Sequence, residues 1–485
     1  MKRLWLVLLS MALVVALSAS AFAVDVKLSG SFYAAGMYLD KTTLNKNTDL
    51  ATSAGPGPST AFYYQRLRVK TDFIVSPGLK LVTRFDAMER AWGAARSVPG
   101  SSTDIDSSGT RAENENIAFD WAYVEYTSPV GLFMVGIQDD GGWGTVFADS
   151  SKPQGIVTWA VQKNGWTAAL QFVKMIDQSK TAIYPPAGTS AVSDNDTDKY
   201  QIAIAYEGKT AEAGVLGIFY NSRSFRPATF LGADVGMVAK VYVLEPYAKA
   251  KLGPVKIQAE LDYAFGDVKY DSQTGMDVKV DNLVAWIDAT VDLKQFYFGG
   301  TFAYVAGQDW GSYNNTSGVQ MDKIKGGFLT GGMDWNPTLI LFNNERQYWG
   351  GSINGHTGTG TYSNAISQNF GLNDTGMYNA WFFQGRAGFR PIDKLDILAS
   401  VSYAKADNKT LPAGAVGTFL PCTLEANSDV YGTEVDVTAT YKITSNLSYM
   451  IGAGYLFTGD YFKGNDSTAE VNNDYMVINK LTLTF

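Results

Sequence analysis

Residues 63–73 read YYQRLRVKTDF, and the two kinds of side chain alternate. Leu67, Val69 and Phe73 fall on one parity, while Arg66, Arg68, Lys70 and Asp72 fall on the other. A two-residue period is that of a β-strand with two unlike faces. The period recurs along the chain. In 79–92, Leu81, Thr83, Phe85 and Ala87 oppose Lys80, Arg84, Asp86 and Arg90. In 255–267, Ile257, Ala259, Leu261, Tyr263 and Phe265 oppose Gln258, Glu260 and Asp262. In 283–293, Leu283, Ala285, Ile287 and Ala289 oppose Asp288 and Asp292. In 431–442, Val435, Val437, Ala439 and Tyr441 oppose Glu434 and Asp436.

What separates the strands also has a rhythm. Short turns rich in Gly, Pro, Asn and Asp fall at 76–79, 128–131, 162–166, 206–214, 252–255, 292–295, 390–394 and 443–446. Between them lie long polar loops near 39–61, 93–116, 139–154, 177–198, 224–234, 267–280, 307–376, 407–429 and 459–473. Eight turns and nine loops join eighteen strands. Within the longest loop, 338–350 (TLILFNNERQYWG) could be one more hairpin arm, so the expected count is sixteen to twenty. No linker or shift of composition marks a second domain.

The two ends narrow the setting. Lys2 and Arg3, the apolar run Leu4–Leu17 and then Ala21-Phe22-Ala23 have the order of a cleaved secretory signal, expected to occupy 1–23 and leave a mature chain from Val24. Later in the chain, no segment reaches the ~18 uninterrupted apolar residues of a helical membrane span. The last residues, YMVINKLTLTF, put Tyr475, Val477, Leu481, Leu483 and Phe485 on one face and Lys480, Thr482 and Thr484 on the other. A membrane-barrel strand needs about 9–11 such residues.

Composition agrees with a β-protein: 49 Gly, 27 Tyr, 26 Phe and 11 Trp. A net charge of −8 gives no basic surface for nucleic acid. One Cys, Cys422, allows no internal disulfide, and one His, His356, lies in a Gly/Thr-rich loop. A lone His and a lone Cys leave little for a His-based triad or a zinc site, and no phosphate loop, nucleophile elbow or calcium-loop spacing is present. No cofactor or metal is expected.

The alternation decides where the charges of 63–73 point. Arg or Lys facing lipid at mid-depth costs ~2–4 kcal/mol each. In a closed barrel every second side chain faces the lumen, and a barrel of about eighteen strands encloses water. The pattern therefore predicts an all-β, transmembrane antiparallel barrel with long outer loops and short inner turns. Its expected pore-lining residues are Arg66, Arg68, Lys70, Asp72, Lys80, Arg84, Arg90, Glu260, Asp262, Asp288, Asp292, Arg386, Arg390, Glu434 and Asp436. Arg66, Arg68 and Arg84 are expected to face acids of the 139–154 loop. Tyr64 and Trp286 are inward aromatic candidates.

The C-terminal strand with its terminal Phe485 resembles the closing strand of Gram-negative outer-membrane proteins, which implies recognition by the outer-membrane assembly machinery. The whole chain resembles an outer-membrane porin. Residues 431–464 (YGTEVDVTATYKITSNLSYMIGAGYLFTGDYFKG) resemble the closing hairpin of the alginate-export family of eighteen-stranded barrels. That family lines its pore with an excess of Arg, whereas the inward charges here are mixed. The 139–154 connection, DDGGWGTVFADSSKPQ, follows the fifth strand. In trimeric general porins the loop at that place folds inward, which makes Asp139, Asp140, Trp143 and Asp149 candidate constriction-loop residues.

The resemblance implies passive diffusion of small hydrophilic solutes, contact with outer-membrane lipid and lipopolysaccharide, and a possible homotrimer. Other readings stay open at this point. They are a substrate-selective channel for an oligosaccharide or organic anion, and a structural barrel sheathing a partner protein. An enzyme barrel has the lone loop His and the missing nucleophile motif against it.

Overall fold

A computed structural model describes residues 24–42, 44, 59–93, 117–177, 196–224, 229–230, 233–234, 236–271, 277–309, 323–350, 376–411, 424–464 and 467–485. The expected signal segment, His356 and Cys422 lie outside them. Eighteen long strands follow in chain order: β1 (Asp25–Leu39), β2 (Thr60–Ser76), β3 (Leu79–Ala91), β4 (Ile117–Ser128), β5 (Gly131–Asp139), β6 (Pro153–Lys163), β7 (Trp166–Ile176), β8 (Thr197–Glu207), β9 (Ala211–Ser222), β10 (Met237–Leu252), β11 (Val255–Tyr270), β12 (Val278–Asp292), β13 (Phe296–Val305), β14 (Ala380–Ile392), β15 (Leu395–Ala406), β16 (Val430–Lys442), β17 (Leu447–Thr458) and β18 (Asp474–Thr484). Each pairs antiparallel with the next, and β1 pairs with both β2 and β18, so the sheet closes on itself. The strand pair Lys323–Ile324 adds two parallel residues beside Lys279 and Val280 of β12.

The turns follow local chemistry. Between β6 and β7, Asn164 and Gly165 take φ 53° and 82°, the left-handed pair that a two-residue hairpin turn demands. Between β2 and β3, Pro77 precedes Gly78 at φ 80°, as a type II turn requires. All eight short turns join consecutive strands at one end of the barrel, and both Asp25 and Phe485 lie at that end, where Gly30 and Phe485 exchange backbone hydrogen bonds of 2.8 and 3.0 Å.

The outer face is apolar. Phe298, Val401 and Ile451 stay more than half exposed, as lipid-facing side chains do outside a membrane. Aromatic rings gather towards both ends of this band. Near the turns, Phe296 stacks on Phe389 at 4.9 Å; near the loops, Tyr304 meets Trp381 at 4.4 Å. Phe296 and Tyr304 both belong to β13, about 26 Å apart along the strand, which a tilt of ~40° reduces to about 20 Å of depth. That is close to the ~25 Å band of outer-membrane barrels.

One irregularity changes a predicted face. Met88, at φ 55°, is an extra residue in β3 where its register with β2 shifts between Gln65 and Leu67. A bulge of this kind reverses the alternation beyond it. Arg90 therefore pairs in register with outward-facing Gln65 rather than standing with Arg84, and Glu89 takes the inward place. The expectation that Arg90 lines the lumen is corrected on this ground.

Candidate functional site

Two segments from the loop end run into the barrel. The first joins β5 to β6, residues 140–152. Its Asp140 carboxylate accepts a bond from Lys199 of β8 at 2.6 Å. Its Trp143 indole donates to the Glu245 carbonyl of β10 at 2.8 Å and stands edge-on to Tyr247. The backbone N–H of Thr145 donates to Glu260 of β11 at 2.9 Å. Phe147 is fully buried, stacked parallel on Trp286 of β12 at 5.9 Å. Gly144 at φ 63° lies where a Cβ would come within 2.6 Å of the Tyr247 ring, so the turn needs glycine. The segment thus leaves the wall at β5 and docks on the inner faces of β10–β12.

The second segment, 323–350, lies within the connection from β13 to β14. Asn282 of β12 accepts from Leu329 N–H at 2.6 Å and donates to the Lys325 carbonyl at 2.9 Å. Farther on, the backbone N–H groups of Leu339, Ile340 and Leu341 all donate to the Glu434 carboxylate of β16, at 3.1, 2.6 and 2.8 Å. The segment ends in a short helix α1 (Asn344–Gly350), entered through Asn343, whose side chain accepts from Arg346 N–H at 2.7 Å. Glu345 of α1 receives Lys480 of β18 at 2.6 Å and the Tyr64 hydroxyl of β2 at 3.1 Å. Trp349 stacks on Tyr64 at 4.5 Å. Residues 338–350 are thus an internal helix and its lead-in, not a further hairpin arm.

The two segments also hold each other. Ala148 N–H donates to the Gly331 carbonyl at 2.9 Å, Asp334 N–H to the Asp149 carbonyl at 3.1 Å, and Ser151 to the Asp334 carboxylate at 2.9 Å. Trp335 stands edge-on to both Phe147 and Phe382. Together they form an apolar plug that covers the inner faces of β10–β18, β1 and the start of β2 at the loop end. The Arg346 side chain is buried there, 3.9 Å from Asp474, and burial away from water lowers its pKa to about 10.

Beyond the start of β2, the plug leaves the basic side chains of β2 partly open, although Arg84 and Asp86 of β3 are buried. The side chains of Arg66 and Arg68 keep 26% of their surface and that of Lys70 keeps 37%, whereas Asp262 and Glu434 keep none. Their charges are matched on the wall itself. Arg68 holds Asp86 through two bonds of 2.6 Å. Arg84 holds Asp120, its Nε at 2.9 Å, and lies 3.5 Å above the Trp121 ring. Arg66 is 3.6 Å from Glu89. Lys80 is 3.0 Å from Glu125 and 3.7 Å from Asp72, which also has Lys70 at 3.5 Å. Five basic groups meet five acidic ones. The direct ion-pair partners of Arg66, Arg68 and Arg84 stand on β3 and β4 rather than on the 139–154 loop, while Asp139 at the start of that loop lies within Coulomb range of Arg84 and Arg68.

The remaining predicted residues divide by place. Glu260, Asp262, Glu434 and Asp436 face inward under the plug. Arg386 reaches Asp288 at 2.9 Å and Thr301 at 2.7 Å. Arg390 bridges Asp292 and Asp396 at the turn end, at 3.1 and 3.2 Å. Asp139 closes β5 beside Pro153, and Asp149 accepts Trp143 N–H at 2.8 Å. Tyr64 and Trp286 face inward but are buried against plug aromatics. The sequence reading missed Glu89, Asp120, Glu125, Asp334 and Glu345. Glu125 was legible from the alternation of AYVEY, but Asp120 sits where the register of β4 shifts. Asp334 and Glu345 reach the lumen only through long-range docking.

No known protein family matches the chain, and no curated protein matches it in sequence. Solved structures resemble it in shape. OccK2 (OpdF) of Pseudomonas aeruginosa has a TM-score of 0.46 at 11% identity, covering 95% of this chain and 98% of its own. OccK11 (OpdR) of the same organism gives 0.46 at 9%, over 95% and 96%. An anion-selective porin from Comamonas acidovorans gives 0.41 at 9%, over 95% and 99%. The architecture rests on the closed ladder of strands.

Proposed function

We propose that the protein is an outer-membrane porin: a water-filled channel for passive diffusion of small hydrophilic solutes and ions. The passage runs off-axis, between the ion-paired wall of β2–β4 and the polar edge of the plug. The observation that carries this reading is the contrast in access. The side chains of Arg66, Arg68, Lys70 and Lys80 stay partly open to water in the lumen, while the acids of β11 and β16 are sealed. Charged groups left open inside a barrel imply water there, since burying them dry is prohibitive. Residues 140–152 and 323–350 together narrow the bore, and Arg66, Arg68, Lys70, Asp72 and Lys80 line what is left, with Arg84 packed into the wall behind them.

The charge balance bears on the solute. A lining of matched pairs provides no strong field of one sign, so it does not favour a polyanion such as alginate. It offers fixed donors and acceptors to small polar solutes. Sheathing a partner polypeptide is disfavoured, because the chain's own 323–350 segment crosses the lumen. No chemical step is assigned. Purified protein added to planar lipid bilayers should give discrete conductance steps; a correctly folded barrel that produces none overturns the reading.

A further inference from the structure

We propose that segment 140–152 is a proton-operated latch, which docks on the acidic wall of β10 and β11 by taking up protons and releases as the pH rises. The effect on conduction rests on the channel reading above; the latch itself does not.

The docking surface is crowded with carboxylates. Asp149 arrives on the segment, while Glu245 stands on β10 and Glu260 and Asp262 on β11; the Coulomb fields of these four acids overlap. Asp334 of the neighbouring plug segment adds a fifth acid within Coulomb range of Asp149. The cations nearby are engaged elsewhere: Lys199 pairs with Asp140, and Lys249 is 3.7 Å from Glu212. Tyr220 and Tyr247 are the uncharged titratable neighbours, Tyr247 donating to Glu212 at 2.5 Å.

Asp262 is the second observation. Its side chain is wholly buried beneath the docked segment, and neither carboxylate oxygen has a hydrogen-bond partner. A buried carboxylate without a partner is neutralised rather than left charged. Metal is not favoured as the neutraliser, since no group of three or more acidic, His or Cys residues among the described residues is arranged to hold one. Protons remain.

Asp149 sets the direction. Burial, opposed by the Trp143 N–H and reinforced by Glu260, Asp334 and Glu245, pushes its pKa up to about 8 from the ordinary 3.8. The docked form thus holds a proton that the released form gives up. Docking is strongest below the ordinary carboxylate range, weakens as pH rises, and has lost this contribution once pH passes about 8. One proton changes the ratio of docked to released segment by up to about tenfold per pH unit across that window.

The test places a spin label at Val146→Cys, an exposed position of the segment, with Cys422→Ser removing the native thiol. Spectra of the folded barrel in detergent are compared with conductance from pH 5 to 9. The expected result is an immobile label at low pH, a mobile fraction that grows towards pH 8–9, and larger conductance steps in parallel. Asp149→Asn should hold the label immobile throughout, and Asp262→Asn should reduce the mobile fraction. A label indifferent to pH overturns the latch. So does an undiminished pH response in both variants, or a response to a chelator in place of pH. A pH-dependent label in a barrel that never conducts keeps the latch and overturns the channel.

Discussion

Arg68 and Asp86, directly opposite each other on β2 and β3, meet fork to fork, with Nε and Nη2 each donating to a separate carboxylate oxygen at 2.6 Å. A bidentate pair fixes both side chains against the wall. It also means that the guanidinium presented to the lumen is already matched. Arg84 likewise donates to Asp120 through Nε and Nη2, and Arg66 forms a looser ion pair with Glu89 at 3.6 Å.

Neutralising Arg66, Arg68 and Arg84 to Gln should therefore unbalance the lining rather than discharge it. Asp86, Glu89 and Asp120 would be left in excess. Unit charges 4 Å apart interact by about 4 kcal/mol at an effective dielectric of 20, so the change is large locally despite screening. We expect the reversal potential across a salt gradient to move towards cation preference, more at low salt than at high. An unchanged potential in an intact barrel would remove these residues from the passage.

Glu434 should hold the plug in place. Its carboxylate accepts three backbone N–H groups. Glu434→Ala would leave them without their acceptor, at a cost of roughly 1–3 kcal/mol for a buried donor. Larger, noisier conductance and faster proteolysis within 323–350 are expected. Wild-type values for both would show that the anchor is dispensable.

Phe485 should matter to assembly. It follows β18, which closes the barrel against β1, and its backbone is tied to Gly30. Deleting it, or replacing it with a charged residue, should lower the yield of heat-modifiable barrel in outer membranes. Normal migration and normal yield would count against the role.

Much of this fold was legible in the chain because lipid imposes a strict rule. Side chains that face lipid at mid-depth must be apolar, so alternation survives on nearly every strand, and Pro77-Gly78 or Asn164-Gly165 marks where one strand turns into the next. The eight turns and nine long loops joined eighteen strands in the structure. The rule fails where the backbone departs from it. The extra residue at Met88 carries no mark in a chain of alternating Arg, Asp and Glu, so the alternation alone puts Arg90 on the wrong face. The plug was illegible for another reason. Trp143 reaching Glu245, or Ile340 reaching Glu434, joins residues roughly a hundred positions apart, and no local period encodes such docking. The 338–350 segment showed its apolar character but not its partner.

The most direct test of the off-axis passage is chemical block at Lys70. Lys70→Cys, made with Cys422→Ser, puts a thiol on the exposed stretch of the β2 wall. Val437→Cys puts one on the lipid face as a control. A charged, membrane-impermeant thiol reagent applied during single-channel recording should lower the conductance of Lys70→Cys in a single step per channel and leave Val437→Cys unchanged. Conductance that stays constant while labelling at Lys70→Cys is shown to be complete would contradict a passage along β2–β4.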